Sequence, residues 1–114
     1  MPYAELLTDA EVAAGLERLS DWRREGKAIA RTVTCRGFKG AIQVVNRVAD
    51  LAVEANHHPD MAVHGYKHVT LTLSTHAAGG ITRRDLELAA RIDAAAADLA
   101  APAERPEGAE RGHD

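Results

Sequence analysis

The sequence predicts an α+β fold: one antiparallel four-stranded sheet with three helices packed on one face, in the order α-β-β-α-β-β-α. Three observations carry that expectation. Two segments alternate apolar and polar residues around glycine-containing turns, as hairpins do. One long stretch repeats its apolar residues at intervals of three and four, as a half-buried helix does. Two capping boxes, Thr8-Asp9-Ala10-Glu11 and Thr82-Arg83-Arg84-Asp85, open helices near either end of the chain.

The first box makes Thr8 the N-cap, and Val12, Leu16 and Leu19 follow at helical spacing, so a short first helix is expected. Residues 22–24, the turn Glu25-Gly26 and residues 27–35 then read as a hairpin. Ile29, Val33 and Cys35 share one of its faces by period two, and Arg31 interrupts that face without an evident reason. From Phe38 the period changes. Phe38, Ala41, Ile42, Val45, Val48, Ala49 and Ala52 form an apolar stripe, with Arg47, Asp50 and Glu54 opposite, and this long helix runs into Asn56-His57-His58. Pro59 is expected to end it, because proline cannot donate the next hydrogen bond and pushes its predecessor out of the helical region.

A second hairpin follows, from residues 61–63 through a bend at Gly65 to Val69, Leu71 and Leu73, which alternate with Thr70, Thr72 and Ser74. Its second strand is expected to run to Thr75-His76, followed by a flexible connection at Ala77-Ala78-Gly79-Gly80. The last helix turns Leu88, Ile92, Ala95 and Leu99 inward, and Asp85 falls on the same line. Beyond Ala100 the chain is polar and aperiodic. The expected organisation is therefore a single domain over 1–100 and a disordered tail over 101–114.

Composition narrows the function. With 46% hydrophobic and 27% charged residues in 114, the chain can bury one ordinary core. A net charge of -3, without clustered Lys or Arg, lacks the footprint of a nucleic-acid binder. Cys35 is the only cysteine, which excludes an internal disulfide and suits a reducing compartment. Neither an export signal nor a run of about 20 apolar residues is visible. The expectation is a soluble, cytoplasmic protein that touches neither membrane nor nucleic acid directly.

Asn56-His57-His58-Pro59, with His76 downstream, concentrates imidazoles where a helix and a strand are expected to end. Histidine titrates near neutrality, so such a group suits proton transfer. A bland reading exists for each residue. A histidine at a helix C-terminus often only caps carbonyls there, with about 0.3–1 kcal/mol from the macrodipole, but two in a row followed by proline weaken that explanation. His64 and His68 read as solvated turn residues. They are also the one pair with H-x3-H zinc spacing, though in an extended segment the two lie far apart, so no metal is expected. Cys35 reads as core, and Asp85 is fully explained as part of its capping box.

Taken together, His57-His58-Pro59, the aromatic Tyr66, the block Val69-Thr70-Leu71-Thr72-Leu73-Ser74-Thr75-His76 and Thr82-x-x-Asp85 resemble the pterin-4a-carbinolamine dehydratases. The likeness extends from Leu16 to about Leu99. It implies a lyase that dehydrates 4a-hydroxytetrahydrobiopterin to quinonoid dihydropterin in tetrahydropterin recycling, without metal or organic cofactor. It implies that His57, His58 and His76 do the chemistry, with His57 and His76 as acid/base pair and His58 positioning the ring. Among the substrate-binding residues the likeness implies, Ser74 and Thr75 match positions that border the pterin, Arg84 and Asp85 match a pair near the site entrance, and Asn56 precedes the two histidines. Open sheet edges add a homodimer or homotetramer to the expected partners. An alternative is a non-enzymatic relative, acting as a dimerisation cofactor or assembly chaperone. One departure stands out: the family commonly has an acidic residue four positions before the first histidine, where this chain has Val53. Val53 extends the apolar face, and Glu54 lies about 100° away on the polar side. The enzyme reading further requires the rings from the helix exit and the strand tip to share a cleft sized for a flat bicyclic heterocycle.

Overall fold

The computed structural model describes residues 5–102. Its elements are α1 (Asp9–Leu16), β1 (Arg23–Glu25), β2 (Ala28–Thr34), α2 (Phe38–Ala55), β3 (Asp60–His64), β4 (His68–Leu73) and α3 (Arg83–Ala96), with a 3-10 turn at His76–Ala78. The order is the one the periodicities predict. All strands pair antiparallel in the spatial order β1-β2-β4-β3, so the two hairpins lie side by side with the longest strands central.

Both capping boxes form. In the first, the Glu11 N–H donates to Thr8 Oγ1 at 3.1 Å while the Thr8 N–H donates to Glu11 Oε1 at 2.9 Å, so the helix start satisfies two of its orphan donors. Strand register aligns Ile29 with Leu73, Arg31 with Leu71 and Val33 with Val69, which places all six on the face the helices cover. Ala41, Val44 and Val48 from α2 and Leu88, Ala89 and Ile92 from α3 bury against them, and Val12, Leu19 and Trp22 close one end. Removing that apolar area from water, at about 25 cal/mol per Å², is the main force holding helices to sheet.

Arg31, the interruption in the sequence pattern, has a partner. Its guanidinium, with the side chain only 12% exposed, is paired with Asp93 of α3 and lies 3.6 Å from Asp21. Asp93 Oδ1 also accepts from the indole N–H of Trp22 at 2.8 Å. One carboxylate thus ties β2, the segment before β1, and α3 together beneath the sheet. Asp93→Ala is expected to cost about 2–3 kcal/mol, since it leaves the indole N–H unpartnered and the largely buried guanidinium with only Asp21 at 3.6 Å. Urea unfolding would measure it, and a loss within error of zero would show that water replaces the carboxylate freely.

α2 departs from the expected stripe. Its buried line is Ala41, Val44, Val48 and Ala52, whereas Phe38 is 57% and Val53 72% exposed. The helix is apolar over more of its circumference than sheet and α3 can cover. Phe38, Ile42, Ala49 and Val53 fall within about 60° of one another and form a second, outward stripe. After α3 the chain returns to the sheet: Ala100 bridges Cys35, and the Ala101 N–H donates to Thr34 O at 2.7 Å. Apart from Ala101 and Pro102, the tail expected over 101–114 lies outside the described residues.

Candidate active site

Three chain segments meet at one buried carboxylate. The first is the exit of α2. The helix stops at Ala55, because Asn56 turns left-handed (φ 53°) and the His57 N–H reaches back to Ala52 O at 3.0 Å. That 6→1 bond ends the helix four positions before Pro59, so asparagine, one of the few residues that tolerate positive φ, does what the sequence reading gives to proline. The reversal turns His57 inward, 8% exposed, and leaves His58 on the surface.

The second segment is the end of β4. The strand finishes at Leu73 rather than at Thr75-His76. Thr75 forms an isolated bridge with Gly80, its N–H donating to Gly80 O at 2.8 Å, and its carbonyl accepts from Ala78 and Gly79 at 3.0 Å each. Residues 76–80 are therefore a closed turn, with Gly79 at φ 81°, and not a loose linker. His76 opens that turn and is exposed.

The third is the start of α3. Asp85, with no exposed surface, occupies the third helical position, and its Oδ2 accepts from the Thr82 N–H at 2.9 Å. The same oxygen accepts from the Thr75 hydroxyl at 2.9 Å, and Thr82 Oγ1 lies 2.8 Å from Thr75 Oγ1 while accepting from the Arg84 N–H at 3.2 Å. Oδ1 is 2.6 Å from His57 Nε2. A carboxylate only accepts, so Nε2 carries the hydrogen, and in the neutral ring Nδ1 holds the lone pair. Among the described residues nothing hydrogen-bonds to Nδ1. The arrangement leaves His57 with one fixed tautomer and one nitrogen able to take up or release a proton.

The remaining site candidates divide by position. Asn56, His58 and His76 are exposed, and Ser74 is half-buried. Thr75 and Asp85 lie behind His57. Arg84 donates to Asn56 O at 2.7 Å and to Ala55 O at 3.4 Å, so it pins the end of α2 to the start of α3. A cleft of about 50 Å³ opens beside His57, lined by Ala55, Arg84, Glu87, Leu88 and Arg91. The cleft has room for a few waters, and His76 is not among the residues that line it. Glu54, near the vacated acidic position, is paired with Arg91, while the carboxylate that meets His57 is Asp85. Cys35 is buried, which pushes its thiol up against a smaller opposing effect of Arg36, so it is no thiolate nucleophile.

Sequence reasoning missed the role of Thr82 and Asp85 toward His57. A signal was available: an acid on the inward line of an amphipathic helix must find a partner when buried. The capping box supplies a partner for one carboxylate oxygen and leaves the second to a residue outside the box.

Fold and site define a class: a small α+β domain, helices on one face of an antiparallel sheet, with an aspartate-braced imidazole where the central helix ends. Comparison with known proteins places it further. The profile of the family described as pterin 4 alpha carbinolamine dehydratase matches residues 5–95. A relative in Nocardia farcinica, provisionally named pterin-4-alpha-carbinolamine dehydratase, is 51% identical over 89 residues, covering 78% of this chain and 93% of the relative. One of the same provisional name in Thermomicrobium roseum is 48% identical over 86 residues, covering 75% and 91%. A crystal structure from Brucella melitensis, described as a transcriptional coactivator/pterin dehydratase, aligns with TM-score 0.75 at 30% identity over 79% of this chain and 97% of that one. A pterin dehydratase-like protein described as a RuBisCO assembly factor in the alpha-carboxysome aligns with TM-score 0.57 at 25% identity, over 67% and 89%. The chain belongs to the pterin-4a-carbinolamine dehydratase family.

Proposed function

We propose that the chain is a hydro-lyase that converts 4a-hydroxytetrahydrobiopterin into quinonoid dihydropterin and water, in tetrahydropterin recycling in the cytoplasm. The observation that carries this reading is the buried His57–Asp85 pair, which prepares one ring nitrogen for proton exchange. In the reaction the C4a–O bond breaks, the N5–H proton leaves, its electron pair closes the C4a=N5 bond, and the hydroxyl departs with a proton as water. No electrons leave the substrate, so the step needs no redox cofactor, and imidazoles can carry both protons. His57 through Nδ1 and His76 from the turn after β4 act as the acid/base pair, and His58 positions the ring. Asn56 and Ser74 keep surface for the pterin. Thr75 and Asp85 act through His57, and Arg84 by holding Asn56.

The same proposal includes a homo-oligomer. The outward stripe of α2, with Phe38 and Val53 at its ends, is the apolar surface that a second copy would cover. Sedimentation equilibrium should find a dimer or tetramer that Phe38→Asp with Val53→Asp reduces to monomer, whereas a monomeric wild type at micromolar concentration would refute it.

A second reading, binding without catalysis, is favoured by one observation: position 53 presents an exposed valine where an acid is usual. The coactivator and assembly-factor descriptions of the two structural relatives show where such a surface can lead. An assay separates the two. Wild-type protein added to freshly generated 4a-hydroxytetrahydropterin should accelerate its loss above the uncatalysed rate, and no acceleration would leave the binding reading standing.

A further inference from the structure

We propose that Thr75 and Thr82 are positioning residues for His57: their hydroxyls form a one-way chain of hydrogen bonds that begins at the start of α3, ends on Asp85, and limits how strongly that carboxylate draws on the imidazole. Its catalytic meaning rests on the hydro-lyase reading, whereas the chain itself rests on distances. Its direction follows from counting hydrogens. A hydroxyl has one to give, and a carboxylate can only accept. Thr75 therefore gives its hydrogen to Asp85 Oδ2, 2.9 Å away. None is left for Thr82 Oγ1 at 2.8 Å, so in that contact Thr82 donates and Thr75 accepts. Thr82 Oγ1, as N-cap of α3, in turn accepts from the Arg84 N–H at 3.2 Å. The order is Arg84 N–H to Thr82, Thr82 to Thr75, and Thr75 to Asp85, whose other oxygen meets His57 Nε2 at 2.6 Å.

Burial gives this chain its leverage. Thr82 and Asp85 have no exposed surface, and Thr75 is 4% exposed. Hydrogen bonds in such a place are stronger than in water, and each polarises the next. A capping box alone requires Thr82 only to accept, and it already gives Oδ2 one donor, the Thr82 N–H at 2.9 Å. The Thr75 hydroxyl is a second donor on that oxygen, carried there by the bridge between Thr75 and Gly80. Two donors hold negative charge on Oδ2 and away from Oδ1. With the Thr75 hydroxyl removed, the Thr82 N–H still orients the carboxylate, but charge returns to Oδ1 and favours a proton on the ring. Arg84, Glu87 and Arg91 of α3 line the cleft beside His57, with Glu54 of α2 paired to Arg91 and His58 next in the chain. Valine at position 75 leaves all of these charges in number and sign as they are, so the change reports the hydroxyl.

The test labels the histidines of the full chain with 15N and follows the His57 Nε2–H proton by NMR, assigned through its loss in His57→Gln. In wild type it should resonate downfield of ordinary imidazole N–H protons. Two slowly exchanging hydroxyl protons should accompany it, that of Thr75 further downfield than that of Thr82 because its acceptor is charged. Thr75→Val should move the Nε2–H signal further downfield. It should also move the limb of the kcat/KM profile that His57 sets, acid or alkaline according to its role, to higher pH by about one pH unit. Thr82→Val should do both to a smaller extent, and Thr75→Ser and Thr82→Ser should restore the wild-type values. Circular dichroism checks that each variant is folded. Folded valine variants with signal and limb unmoved, or serine variants that fail to restore them, would overturn the proposal and reduce the two threonines to support for the fold. Should the valine variants not fold, the wild-type hydroxyl signals decide, since their absence or the reverse order contradicts the chain. A wild type without dehydration activity would instead sink the hydro-lyase reading, and the Nε2–H signal by itself would then decide whether the threonines govern the ring.

Discussion

Asp85→Asn should give a folded protein whose kcat is lower by about 10²–10⁴-fold, with KM changed far less. The argument is geometric. Asp85 Oδ2 accepts from both the Thr82 N–H and the Thr75 hydroxyl, so the amide of asparagine must place its carbonyl there. Its NH2 then faces His57 Nε2, where Oδ1 stood at 2.6 Å. Two donors cannot share that contact. His57 therefore shifts to the tautomer with the hydrogen on Nδ1, and the nitrogen that has to take a proton already holds one. The capping geometry survives, and the expected cost in stability is about 1 kcal/mol, an ordinary hydrogen-bond difference. Asp85→Ala is a different experiment: it strands His57, Thr75 and Thr82 in a buried site and should cost about 3–5 kcal/mol, a large share of the 5–15 kcal/mol typical of a domain. Stopped-flow dehydration kinetics beside urea unfolding separates the two substitutions. Full activity in a folded Asp85→Asn protein would dismiss the carboxylate as a positioning group.

Element types and order were legible because each rests on local chemistry. Thr8 with Glu11 and Thr82 with Asp85 mark helix starts by hydrogen bonds closed within three residues, and both form. The alternation of Val69, Leu71 and Leu73 with threonines is set by the strand's own geometry, and burial follows it residue by residue. What was not legible depends on partners far along the chain. Arg31 looks misplaced until Asp93, 62 residues away, is brought beneath it. Which side of α2 is buried is decided by where α3 packs, so Val44 is interior and Val53 exposed although both are valines on an apolar helix. The candidate site divides in the same way. His57, His58 and His76 stand out by residue type and spacing. The bond from His57 to Asp85 spans 28 residues and arises only when the α2 exit and the α3 start converge. Likewise the register that pairs His64 with His68 depends on a tyrosine taking a left-handed conformation, which periodicity does not encode.

His76→Ala offers the cleanest decision between catalysis and binding. The ring is exposed, and no hydrogen bond from another described residue holds it, so its removal should change stability by no more than about 0.5 kcal/mol. If His76 supplies one of the two proton transfers, kcat should fall by about 10²–10⁴-fold, equivalent to roughly 3–5.5 kcal/mol of barrier. His57→Gln complements it. The glutamine amide can keep a donor on Asp85 at the position of Nε2, so the buried carboxylate stays partnered, but it has no nitrogen that exchanges a proton at neutral pH. A similar fall is expected there. When two groups act on one transition state, the double variant should lose less than the product of the single losses, because once one transfer fails the other group has less to act on. Three assays on folded variants therefore suffice. A His76→Ala protein as fast as wild type removes that residue from the mechanism and leaves His57 with His58 as the remaining pair. If neither variant slows a wild-type rate that is measurably above background, proton transfer by these rings is excluded and another feature of the surface must account for the acceleration.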